Sequence, residues 1–125
     1  MAEDYESSAL RHFRDAEVLA GKECYDNAGY LIGFAAECAV KSALLSFNLA
    51  DKPHHKHFPE IRDIALKMFA SRRDSAMHVT LRSAFLEGWQ IHQRYEVTNS
   101  IDNGKYQSWK RDAQRILHAA RLRSE

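Results

Sequence analysis

The chain has 125 residues, 45% of them hydrophobic and 28% charged, with a formal net charge of +1, which is the arithmetic of one soluble domain spanning residues 1–125. Gly and Pro together number 7, where average usage gives roughly 15, and Val, Ile and Thr total 12 against 28 Ala and Leu, so a turn-rich β sandwich or barrel is excluded in favour of helix. No stretch approaches 18 uncharged apolar residues, and the N-terminus opens with Glu3, Asp4 and Glu6 rather than a basic, then apolar, leader. A membrane span and an export signal are therefore not expected, and the cytoplasm is the expected location.

Periodicity predicts five helices in one up-and-down all-α bundle. The first covers about residues 6–20, with Leu10, Phe13, Ala16 and Leu19 on one stripe and Gly21 as its stop. The second starts near Tyr25, capped by Asp26 or a neighbour, and continues to about Phe47 through Ala28, Leu31, Ile32, Ala35, Cys38, Ala39 and Ser42. Its small residues, among them Gly29 and Gly33, let neighbouring backbones approach, so it should be central. Cys24 and Cys38 lie about 14 residues apart, roughly 21 Å along a helix. They cannot bridge each other and read as reduced, buried or half-buried thiols.

A polar loop over 48–57 leads to a short third helix after Pro59, carrying Ile61, Ile64, Met68 and Phe69. A fourth is predicted from about 72–75 to Gln93, with Leu81, Phe85, Gly88 and Ile91 or His92 on one face. Turn and cap residues Asn99, Ser100, Asp102, Asn103 and Gly104 then precede a fifth, which places Tyr106, Trp109, Ala113, Ile116, Leu117 and Ala120 inward.

The pattern Tyr25-Asp26, Ala28, Tyr30-Leu31, Ala35-Ala36-Glu37, Lys41 and Leu44-Leu45, preceded by Asp15-Ala16 and Leu19, resembles the HEPN family (higher eukaryotes and prokaryotes nucleotide-binding domain). His57 ahead of Ile61 and Ile64 is similar to that family's histidine-led third helix, and Arg94-Tyr95 to its Arg-Tyr motif. Glu96 departs from the proline that many members carry there. The resemblance implies a helical bundle, homodimerisation, and either nucleotide binding or metal-independent RNA cleavage. It also implies a minimal nucleotidyltransferase as partner, in a toxin-antitoxin type of pair. On this reading Glu37, Lys41, Arg94 and Tyr95 contact a nucleotide or the partner protein.

Glu37 and Lys41 stand four residues apart with the acid first, the favourable order for a helical ion pair. They interrupt a second aromatic and apolar stripe, Tyr30, Phe34 and Leu44, that lies off the Leu31, Ala35, Ala39 core stripe. A second apolar face wants a cover, either another helix or a dimer mate, and Tyr30, Phe34 or Trp89 is expected to meet a second copy. The pair is then either a buried structural contact or a ligand contact.

The ribonuclease branch of the resembled family uses an Arg, a polar residue and then a His with four to six residues between Arg and His, because a cation must neutralise the scissile phosphate while an imidazole moves a proton. Arg73 with His78 and Arg111 with His118 fit that spacing, as chance pairings among 18 Lys and Arg and 7 His also would. No metal set or cofactor motif completes itself: His54, His55 and His57 share a polar loop, and neither thiol joins them. Residues 1–26 hold seven acids against three bases, and residues 105–125 six bases against two acids. Arg111, Arg115, His118 and Arg121 recur at helical spacing, a basic stripe for phosphate or for the acidic first helix.

Overall fold

The computed structural model describes residues 4–46, 60–70, 75–83, 86, 89 and 101–122. Among them the regular elements are five helices and no strand: α1 Tyr5–Gly21, α2 Tyr25–Ser46, α3 Glu60–Met68, α4 Ala76–Arg82 and α5 Asn103–Ala119. The protein is an all-α bundle. Arg73, Arg94 and Tyr95, the histidines at 54, 55, 57 and 92, and most of the 96–101 loop lie outside the described residues.

The helix α1 begins where the Asp4 carboxylate accepts from the Ser7 N–H at 2.9 Å. It ends in a Schellman turn, with Cys24 N–H donating to the Leu19 carbonyl and Glu23 N–H to that of Ala20. The left-handed residue there is Glu23 (φ 60°), two positions beyond the expected stop at Gly21. Ala9, Phe13 and Ala16 form its buried stripe, with Leu10 and Leu19 at the margins.

The central helix is α2, in which Ala28, Ile32, Ala35, Ala36, Ala39, Val40 and Ala43 are wholly buried. By length and composition it passes as a possible membrane span, at mean hydropathy 1.3, but 72% of that window is buried inside the chain, as in a core helix. Asp26 does not cap α2; it sits inside the first turn and accepts from the Ile101 N–H at 3.0 Å, tying the entry of α5 to the start of α2. The backbone approach allowed by glycine is used twice. A Cβ on Gly29 would lie 3.0 Å from Trp109, and one on Gly33 would fall within the indole of Trp89.

α1 runs antiparallel to α2, because Tyr5 reaches Lys41 and His12 reaches Phe34. α5 runs parallel to α2: Tyr106 meets Tyr25 at one end, and at the other Ala120 and Leu122 line one cavity with Ser42 and Ser46. Every inward position predicted for α5 is buried. Its start is fixed by Asp102, whose carboxylate accepts from the Lys105 N–H at 2.7 Å.

The fourth helix is shorter than expected. It stops at Arg82 rather than near Gln93, with Ser83 extended and Leu86 left-handed (φ 50°). Three contacts enforce the stop. Ser83 donates its hydroxyl to the Thr80 carbonyl, Arg62 of α3 takes the carbonyls of Leu81 and Ser83, and the Leu86 N–H goes to Asp112 of α5. Beyond that break Trp89 lies on Gly33, donates its indole N–H to the Gly29 carbonyl at 3.0 Å and stacks on Tyr30.

Candidate functional site

The two charged constellations that the sequence singles out on helices meet opposite fates. On α2, Lys41 Nζ donates to Glu37 Oε2 at 3.2 Å, with Glu37 0% and Lys41 5% exposed. The Tyr5 ring of α1 covers the ammonium at 5.6 Å. The second apolar stripe of α2 thus finds much of its cover inside the chain: Tyr5 over Lys41, His12 against Phe34, and Trp89 on Tyr30. Trp89 is only 3% exposed within a single chain, so of the three residues named for a second copy it has the least apolar surface left to offer. Tyr30 and Phe34 stay half-buried. Among the described residues Glu37 and Lys41 make a buried ion pair, which favours a structural contact over a ligand contact.

On α5 the basic residues divide. Lys110 turns to α1 and donates to Glu17 at 2.9 Å, while Tyr106 donates its hydroxyl to the same carboxylate at 2.6 Å. Burial, reinforced by the bond to Glu17, pushes the Tyr106 phenol well above its ordinary range. These two side chains, which lie off the basic stripe, are what α5 offers the acidic first helix. The stripe itself faces out: Arg111, Arg115 and His118 are exposed and lie within about 60° of arc along two turns. Arg115 is 3.7 Å from Asp112, whose other oxygen accepts from Leu86.

His118 also lines an open cleft of about 530 Å³ between the start of α4 and the end of α5, together with Ser75, Ala76, Met77, Ala119, Arg121 and Leu122. A smaller cavity of about 270 Å³ on the far side of Arg121 is lined by Glu6, Ser42, Ser46, Ala120 and Leu122. The end of α5 is a second Schellman turn: Leu122 N–H donates to the Leu117 carbonyl, and Arg121, at φ 64°, to that of His118. Helical spacing alone marks His118 and Arg121. Ser75, Met77 and Leu122 carry no sequence signal for a site, because only tertiary packing brings α4 to the end of α5.

His78 belongs to the inner side of α4, 8% exposed, and its Nδ1 is buried with no hydrogen-bond partner among the described residues. His12 is half-buried against Phe34 at 5.0 Å, and burial, with Arg11 adding to it, holds its pKa below the ordinary value. The cysteines are free thiols, with Cys38 buried and Cys24 exposed rather than half-buried. Among the described residues no three His, Cys, Asp or Glu side chains gather as a metal site. No protein-family model, no curated protein and no solved structure matches this chain.

Proposed function

We propose that the chain is a HEPN-like helical binding module whose ligand carries phosphates, an RNA strand or a nucleotide, held on the outward face of α5. The observation that supports this reading is the exposure of Arg111, Arg115 and His118 on one face, leading into the α4–α5 cleft. A cation row of this kind neutralises successive phosphates and releases counterions, so affinity should fall linearly with the logarithm of salt concentration. Fluorescence anisotropy with a short single-stranded RNA tests it. Salt-sensitive binding that weakens in the Arg111→Ala, Arg115→Ala double variant supports the reading, and salt-independent or absent binding defeats it.

The second reading is a metal-independent ribonuclease. Arg111 with His118 is favoured over Arg73 with His78, since His118 is exposed beside two arginines whereas the His78 ring is buried. RNA cleavage by purified protein in chelator, abolished by His118→Ala and retained by His78→Ala, would favour it. Homodimerisation, a nucleotidyltransferase partner, a toxin-antitoxin role and a cytoplasmic location belong to the same proposal and rest on the resemblance. Light scattering on the purified chain tests the dimer.

A further inference from the structure

Asn103 and Gly104 are the one Asn-Gly pair in the sequence, and both are exposed in the first turn of α5. An asparagine followed by glycine is chemically labile, because a glycine nitrogen with no side chain beside it can reach the preceding side-chain amide. A Cβ on Gly104 would meet the Asp102 carboxylate at an ordinary 3.5 Å, so among the described residues no close approach demands a glycine. Gly104 is the second residue of the helix, where the N–H has no carbonyl acceptor within α5. The cap serves its successors instead: the Asp102 carboxylate accepts from Lys105 N–H at 2.7 Å, and the Asp102 carbonyl from Tyr106 N–H at 3.0 Å. The Asn103 side chain accepts from Gln107 Nε2 at 3.2 Å, an exposed bond that water can replace. Asn27 is the contrast within the molecule. It too is exposed in the first turn of a helix, α2, but Ala28 follows it, wholly buried, with its N–H held by the Cys24 carbonyl at 3.0 Å.

We propose that Asn103 is a site of spontaneous deamidation, an age-dependent covalent mark at the start of α5. The Gly104 backbone nitrogen attacks the Asn103 Cγ, and the new N–Cγ bond closes a cyclic imide. The bond from Cγ to the side-chain nitrogen breaks, and ammonia leaves with the proton that the Gly104 nitrogen gives up. Water then opens the imide at either carbonyl. One opening leaves an ordinary backbone with aspartate at position 103; the other leaves isoaspartate, in which the main chain runs through the former side-chain methylene. A helical ψ at Asn103 holds the Gly104 nitrogen away from Cγ, so the attack runs through the frayed first turn, and Asp102 sets how often that turn frays. The two products differ in consequence. Aspartate puts a negative charge at a helix N-terminus, where it is favourable. Isoaspartate lengthens the main chain between Asp102 and Lys105 and takes the cap out of register, at the turn where Ile101 N–H ties α5 to Asp26 of α2 at 3.0 Å.

The test is to age the purified chain in mildly alkaline buffer and follow it by peptide mapping and mass spectrometry. The mass gain of an NH2-to-OH exchange should accumulate at Asn103 well ahead of Asn27. Protein isoaspartyl methyltransferase should label the aged chain at that peptide, which identifies the imide route. Gly104→Ala should all but abolish conversion, and Asn103→Gln should remove the label, while both variants keep the helical circular dichroism of the parent. Asp102→Ala should quicken conversion by freeing the first turn. The isoaspartate fraction, separated by ion exchange, should melt about 4 °C below the parent, the effect of a lost cap, whereas Asn103→Asp should melt no lower than the parent. The proposal is overturned if Asn103 stays intact, if Asn27 converts as fast, if Gly104→Ala converts at the parent rate, or if Asp102→Ala leaves the rate unmoved. An isoaspartate fraction that melts with the parent would overturn its claimed effect on α5.

Discussion

The charged pair on α2 and the charged row on α5 look equally functional as sequence, and packing separates them. Glu37 and Lys41 have the spacing of a surface ion pair, yet α1 lies across them and puts Tyr5 over the ammonium. Arg111, Arg115 and His118 have the spacing of a partner-facing stripe, yet the acidic helix engages only Lys110 and Tyr106 and leaves the rest outward. What decides whether a charge can serve a ligand is the helix laid over it, and spacing along its own helix does not record that.

The comparison breaks most readily on α2. Lys41→Met takes from the fully buried Glu37 one of its partners, at 3.2 Å, and should destabilise by about 3 kcal/mol, measured by urea unfolding. Adding Glu37→Leu should recover most of that loss, because two packed apolar side chains replace a desolvated pair. Neither variant should alter RNA affinity; a specific loss of binding in a folded Lys41 variant would return the pair to the ligand.

A middle-sized effect sharpens the boundary within α5. Tyr106→Phe removes a 2.6 Å hydrogen bond to Glu17 and should cost about 1–2 kcal/mol, again in urea, with binding untouched. Arg111→Ala, on the outward face, should stay within about 0.5 kcal/mol of the parent.

The smallest effect is a pH dependence. His12 has its pKa lowered in the fold, so the unfolded chain takes up a proton first as pH falls. Its contribution is complete above the unfolded value of 6.5 and is lost as pH drops through the folded value. The urea midpoint of the parent should therefore fall more steeply below pH 6.5 than that of His12→Leu. Parallel curves would show that burial against Phe34 leaves the imidazole free to charge.

Much of the fold is legible in the sequence, for reasons that particular residues make plain. α5 reads correctly because its cap, Asp102, and its 3.6-residue stripe from Tyr106 to Ala120 are both local signals. α4 does not, because its end at Arg82 is set from a distance by Arg62, Asp112 and the seat that Gly33 gives Trp89. The end of α1 is read to within a residue, whereas the left-handed position falls to Glu23 and not to the glycine that is the stronger local cue. The α5 face is legible as spacing, whereas the cleft at its end needs α4 brought against it.

The central claim is that the outward face of α5, and not the α2 pair, meets phosphate. Its most direct test is the salt slope of RNA binding for the parent and for the Arg111→Ala, Arg115→Ala double variant. The account predicts that the slope of log affinity against log salt becomes shallower by about 1.4, roughly 0.7 for each phosphate contact removed. An unchanged slope in the double variant, or a change of that size in Lys41→Met instead, would contradict it.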